Sequence, residues 1–434
     1  MTALYVTNLF VAVILLAVPI WFSRRYLRLP LVNPLTILLL VWVPVQLMML
    51  LAGPTVLIED GVANPGFQYA VLMNNVLMVS QTCGTVFFFK LAKACRLERF
   101  LPFRAVPLSP RQLRRASWVF IAIFACSFCL LASAEMGILA WIANPRFGYQ
   151  FYRVGHGHWF ALCVSALSVA AMLAYAARPI PSSILIKTVP FIALAYLLGS
   201  KGVMLAHFAA SLVMLWFVGW RHVTKVFVVG APLIFVALLW NLYLSYGDAF
   251  ELESILGYFE PYRNAAAYYL GVLNGDVELF HGEVISSSLW AYVPRVLVPT
   301  KPFVYGVLHV NEIFFPGAAE LTHTPAFAGA VEQYADFGVP GVIVLGFFGG
   351  QALFNAAVYY LAFRAPGVQP RRLTLGSLLA LLTIGGPLFG QYFTGLLYFI
   401  LLGAVALAIR FTQLKFVWTP PPLQVVLPSA VPGR

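Results

Sequence analysis

Residues 4–22 read LYVTNLFVAVILLAVPIWF, a run without a single charge, followed at once by Ser23-Arg24-Arg25-Tyr26-Leu27-Arg28. An apolar run of about 18–25 residues is long enough to cross a hydrocarbon core of about 30 Å as a helix. No basic region precedes this run and no small-residue cleavage site follows it. It therefore reads as a retained first span and not as a removed signal peptide. The arginines behind it belong on the cytoplasmic side, because short loops rich in Lys and Arg stay inside.

The same pattern recurs along the chain and predicts an all-α polytopic membrane protein with about eleven spans. They are expected at 5–22, 31–52, 69–89, 118–136, 159–177, 184–198, 202–220, 226–246, 337–363, 373–390 and 392–411. One long polar segment, 247–336, separates the eighth from the ninth and is expected on the outer, periplasmic side. Residues 1–434 form one integral membrane domain on this reading, and the Pro-rich 412–434 a flexible cytoplasmic tail. The topology puts 21 of the 27 Lys and Arg inside with one acid, Glu98, and leaves six bases and fourteen acids outside. That bias places the N-terminus outside and the C-terminus inside.

A chain that is 61% hydrophobic and only 10% charged, with a mean hydropathy of +0.87, is no ordinary soluble domain. Its net charge of +12 sits in short loops without interleaved aromatics, which argues against nucleic acid. The five cysteines (Cys83, Cys95, Cys126, Cys129 and Cys163) lie in spans or on the basic side. The polar segment therefore has no disulfides, and no paired CxxC suggests zinc. Charge is nearly absent from the middle of the spans: Glu135, Lys187 and Arg410 fall at span ends, and only His207 lies deeper. Ion-coupled transporters usually carry ionisable groups there.

The chemistry is expected in the polar segment and the outer loops. The stretch from Tyr246 to Asp336 holds eleven carboxylates and three histidines, His281, His309 and His323. Six cations face outward: Arg146, Arg153, Lys201, Arg263, Arg295 and Lys301. Exposed ion pairs are worth little, and Arg146 reads equally well as one of those. Lys201 lies at a glycine-flanked helix junction where free N–H groups can meet an anion. Arg295 and Lys301 lie in Pro294-Arg295-Val296-Leu297-Val298-Pro299-Thr300-Lys301-Pro302, a stiffened, partly apolar segment suited to a re-entrant or interfacial position. Four or five such cations converging at the outer membrane boundary would make a pyrophosphate site.

The order of these features resembles a family. Tyr262-Arg263 follows a late span, then come Pro294-Arg295 and Pro299-Thr300-Lys301-Pro302, then a Thr-Pro. Glu332-Gln333-Tyr334-Ala335-Asp336-Phe337-Gly338-Val339-Pro340-Gly341 enters the next span. This pattern is similar to the bacterial oligosaccharide repeat-unit polymerases, the Wzy-type O-antigen polymerases. The Gly199-Ser200-Lys201-Gly202 tip is similar to a Gly-Ser-Arg often found there in the family. Lys in place of Arg supplies a point charge instead of a bidentate fork.

The resemblance implies a GT-C-like, metal-independent glycosyltransferase of the bacterial inner membrane, needing no cofactor. It would polymerise undecaprenyl-pyrophosphate-linked repeat units into O-antigen or exopolysaccharide at the periplasmic face. Its partners would be lipid-linked donor and acceptor, membrane lipid and a chain-length regulator protein, with no nucleic acid. Arg263, Arg295, Lys301, Lys201 and Arg153 would stabilise the pyrophosphate. Glu332 and His323, just before the ninth span, are the candidates to deprotonate the acceptor hydroxyl. Helix capping is the competing reading for Glu332, and a loop position without a role for His323. An O-antigen ligase acting on lipid A core would share the cations, whereas a lipid-linked glycan transporter would need a polar path through the bilayer.

Overall fold

The computed structural model describes residues 2–25, 50–51, 62–96, 109–151, 156–246, 260–293, 295, 297–321, 324–349, 352 and 356. Its helices are α1 (Thr2–Arg25), α2 (Pro65–Ala94), α3 (Pro110–Glu135), α4 (Ile138–Ala143), α5 (Pro145–Phe151), α6 (Gly157–Ala177), α7 (Pro181–Tyr196), α8 (Lys201–Phe217) and α9 (Val223–Tyr246). The polar segment adds α10 (Glu260–Asn274), α11 (Glu283–Ser287), a 3₁₀ turn (Ser288–Tyr292), α12 (Leu308–Phe314) and a second 3₁₀ turn (Ala318–Glu320). Helix α13 (Val331–Phe348) follows. No strand occurs among the described residues.

The chain is an all-α, multi-pass membrane protein. Stretches Ala3–Trp21, Pro65–Ala94, Pro110–Ala134 and Gly157–Ala177 are long and apolar enough to cross a membrane. Pro181–Tyr196, Lys201–Phe217 and Val223–Ala237 are shorter apolar helices. Each coincides with an expected span. The helices start ahead of their apolar runs because the sequence supplies start signals there. Asn64 caps α2 by accepting the Phe67 N–H at 3.0 Å, and α2, α3 and α7 each carry proline in the first turn. The spans expected at 373–390 and 392–411, the tail 412–434 and nearly all of 31–52 lie outside the described residues.

Packing falls chiefly into two sets. In the first, α3 lies along α6, α7 along α8, and α9 against α8 and α5. Alanines 166, 170, 171 and 176 are buried on α6 and let neighbours approach closely. Ser117 on α3 donates to the Ala170 carbonyl at 2.8 Å. Between the spans expected at 118–136 and 159–177 the described chain is largely helical: α4 and α5 fold back on the helix hairpin. Trp141 is fully buried and donates its indole N–H to the Leu197 carbonyl at 2.8 Å.

In the second set α2 is the hub, with α1, α10 and α13 packed against it. Glycine permits two close approaches of helix to helix. A Cβ at Gly66 would stand 2.2 Å from the Ala266 carbonyl of α10, and one at Gly84 would stand 2.1 Å from that of Phe347 on α13. A buried amide group zips α1 to α2. Asn8 donates to the Gln68 carbonyl at 2.9 Å and to its side-chain oxygen at 3.2 Å, and Asn75 donates back to the Asn8 carbonyl at 3.4 Å. Inside a bilayer each such bond contributes about 0.6–2 kcal/mol. These polar side chains satisfy one another, so they act as glue between helices.

Candidate functional site

The strip 326–330 is where the second packing set meets the polar segment. Asn264 donates to the Ala326 carbonyl at 2.9 Å, and the Ala328 N–H donates to the Pro261 carbonyl at 2.8 Å. The Ala330 N–H then donates to Asn74 Oδ1 of α2, also at 2.8 Å. Gly329, with φ +73°, lies against the Asn74 amide, and a Cβ there would fall 1.6 Å from Oδ1. Tyr262-Arg263-Asn264 and the start of α13 are therefore held on one strip. Tyr262 is buried with Phe67, Val71 and Ala266, while Arg263 between its two anchored neighbours is exposed.

Glu332 is the second residue of α13, ahead of the expected span at 337. It is half-buried, and that burial, with the Asp336 charge adding, pushes its carboxyl up to about 7. A carboxyl in that range exchanges protons at neutral pH. Asp336, one turn on, is fully buried and accepts the N–H groups of Val284 at 3.0 Å and Ile285 at 2.8 Å. The backbone follows: Phe280 N–H donates to the Ala335 carbonyl at 2.9 Å and His281 N–H to that of Asp336 at 3.1 Å. Asp336 thus caps α11 from another helix, a role its place in the motif did not announce. At Gly338 (φ 62°, ψ −144°) the backbone leaves helical geometry, which separates the Glu332 turn from the rest of α13.

Arg295 and Lys301 are brought together. The Arg295 guanidinium donates to the carbonyls of Lys301 and, at 3.1 Å, Pro302, and lies 3.9 Å from the centre of the Phe303 ring. The Lys301 ammonium donates to the Val293 carbonyl at 3.1 Å and sits 4.4 Å from the Tyr305 ring. Burial and the Arg295 charge both hold that ammonium below the usual lysine range. Among the described residues these cations are held by carbonyls and aromatic faces, which do not neutralise a positive charge. Such a pair can attract an anion.

Lys201 belongs to the other packing set, at the start of α8. Gly199 beside it is seated on the Pro145 carbonyl, and Arg146 on α5 is close enough for its charge to oppose that of Lys201. Arg146 also lies 5.1 Å from the Tyr149 ring. The local contacts of the expected cations are thus Arg295 with Lys301, Arg263 beside the residues bonded to the 326–330 strip, and Lys201 with Arg146. Arg153 and His323 lie outside the described residues. His207 is buried with its ring stacked on Phe191, as a packed core residue.

A further cluster carried no expected role. His309 Nε2 lies 3.2 Å from Ser287 Oγ, and its Nδ1 lies 3.7 Å from a Glu283 carboxylate oxygen. Only the presence of His309 and Glu283 in the polar segment could have hinted at it, since 26 positions separate them. Among the described residues no group of three or more His, Cys, Asp or Glu side chains could hold a metal ion.

No family model matches the chain, and no solved structure matches it. Over 218 residues, 49% of its length, the chain is 27% identical to an O-antigen polymerase of Salmonella typhimurium strain LT2. The same identity over the same length relates it to an O-antigen polymerase of Salmonella typhi. It spans about half, 52%, of the length of each of these relatives. The likeness to O-antigen polymerases therefore rests on extended sequence similarity to curated proteins of that name as well as on the short motifs.

Proposed function

We propose that this chain is a membrane-embedded glycosyltransferase that polymerises lipid-linked oligosaccharide repeat units into O-antigen or a related polysaccharide. The carrier is undecaprenyl pyrophosphate, the reaction takes place at the periplasmic face of the inner membrane, and no metal takes part. A growing glycan leaves its pyrophosphate carrier and joins a hydroxyl of another lipid-linked unit. Arg295, Lys301 and Arg263, with Lys201 and Arg153, neutralise the charge that develops on the leaving pyrophosphate. Glu332 takes the proton of the attacking hydroxyl, with His323 as the second candidate. The protein's partners are the two lipid-linked substrates and a chain-length regulator.

The observation that supports this reading best is Glu332. A carboxyl poised near 7 at the head of a membrane helix, on the same strip as Arg263, suits proton removal beside an anionic leaving group. The test is to supply membranes holding the protein with isolated lipid-linked repeat units. Lengthening of the lipid-linked glycan without lipid A core is the expected result. Product formed only after core is added makes the protein a ligase, and movement across the membrane without lengthening makes it a transporter.

A further inference from the structure

Ser287 is fully committed. Its hydroxyl donates to the Glu283 carbonyl at 2.6 Å and accepts the Gly306 N–H at 2.9 Å. With the Ser287 hydrogen directed to the Glu283 carbonyl, its remaining lone pair faces His309 Nε2 at 3.2 Å, an arrangement that suits the neutral tautomer with the hydrogen on Nε2 and a lone pair on Nδ1. Nδ1 points to the Glu283 carboxylate at 3.7 Å, beyond hydrogen-bond distance. Two acceptors thus lie side by side, 3.7 Å apart, where neighbouring hydroxyl donors approaching from outside can reach both. The Glu283 side chain is 59% exposed and that of His309 18%, so the pair opens to solvent.

Aromatic surface adjoins it. The Phe280 ring centre is 5.8 Å from that of His309. The Phe337 ring, 45% exposed, reaches to 3.5 Å from where a side chain at Gly282 would begin. The Asp336 clamp fixes α11, with Glu283 at its first position, against the helix that carries Phe337. Paired acceptors near an exposed aromatic face suit a polyol with apolar C–H faces.

We propose that Glu283, His309 and Phe337 form a saccharide subsite that binds the acceptor repeat unit. Neighbouring sugar hydroxyls donate to Nδ1 and to the carboxylate, and a sugar ring lies on Phe337. The proposal rests on the polymerase reading for the identity of its ligand, but its test does not need turnover.

The probe is the repeat-unit oligosaccharide released by mild acid from the producing cells' own lipid-linked intermediates. Its binding to purified full-length protein in lipid nanodiscs is measured by titration calorimetry. Wild type should bind it. Glu283→Gln, His309→Ala and Phe337→Ala should each weaken binding about tenfold or more. In turnover these variants should raise the KM for the soluble oligosaccharide as acceptor while kcat changes less. Unchanged binding in all three variants, or no binding by wild type, overturns the subsite. A fall in kcat with KM and binding unchanged also overturns it and makes His309 a proton acceptor. If wild type binds the oligosaccharide yet lengthens nothing, the polymerase reading falls and the subsite stands. Asp336→Asn, which loosens α11 without touching the three side chains, separates loss of shape from loss of contact: it should weaken binding less than Glu283→Gln.

Discussion

At Glu332 burial and the neighbouring Asp336 carboxylate both penalise the charged form, which sets the pH behaviour of stability and of activity. Its carboxyl rises from an ordinary glutamate value of 4.5 to about 7 in the fold, so the folded state binds more protons than the unfolded one between those values. Stability should therefore fall as pH rises from about 4.5 to about 7 and level off above. Glu332→Gln removes that penalty, so its melting temperature should match wild type in acid and exceed it at pH 8. Transfer should show the opposite trend: wild-type kcat/KM rises with pH through about 7 as the base ionises, and Glu332→Gln transfers no glycan while still binding lipid-linked donor. Normal polymer from this variant would move the base elsewhere. For the cations, Arg263→Ala and Arg295→Ala should each abolish polymer at normal protein abundance, a loss of about 2–4 kcal/mol of transition-state stabilisation. Chain lengths like wild type in both would reduce these arginines to loop anchors. Lys201→Arg should be tolerated better than Lys201→Ala, because a point charge is what that position supplies.

At the scale of the element, the decisive contacts lie between helices and could not be read along the sequence. The apolar runs located the spans, since length and apolar composition decide whether a helix can cross a membrane. The Tyr-Arg-Asn and Glu332–Gly341 motifs were legible as motifs, but their connection was not, because it runs through the strip 326–330, which bonds to Pro261 and Asn264 on α10 and is anchored to α2 by Asn74, 256 positions from Ala330. Likewise Asp336 looked like one carboxylate among eleven until its two N–H partners on α11 were seen. The Asn74 bond yields a prediction. Asn74→Leu leaves the buried Ala330 N–H without its acceptor, which should cost about 1–3 kcal/mol. Asn74→Asp keeps an oxygen in place and should cost less. Thermal unfolding in detergent, with limited proteolysis around 326–330, separates the two. Equal stability would show that the strip is held by its bonds to α10 alone.

For the whole molecule, the charge distribution makes a claim about orientation that is independent of the site chemistry. Both the cation groups and Glu332 can serve a periplasmic reaction only if the polar segment lies outside. The positive-inside rule favours that arrangement: on it, Arg111, Arg114 and Arg115 at the head of α3, Arg178 after α6, and Arg221 and Lys225 at the head of α9 mark the cytoplasmic side. Helices α6, α7, α8 and α9 then alternate, which puts the Lys201 tip and the end of α9 on the other side. The tip's docking on α5 is consistent with this, because it requires the loop between α3 and α6 to share that face. A reporter fused after Arg28, Arg115, Arg221 or Arg372 should therefore score as cytoplasmic, and one inserted near Glu278 as periplasmic. Glu278 is the informative site because it lies between α10 and α11, within the segment that carries Arg263, His309 and Arg295. A cytoplasmic signal there would leave the helices as they are but would put every proposed catalytic group on the wrong side of the membrane.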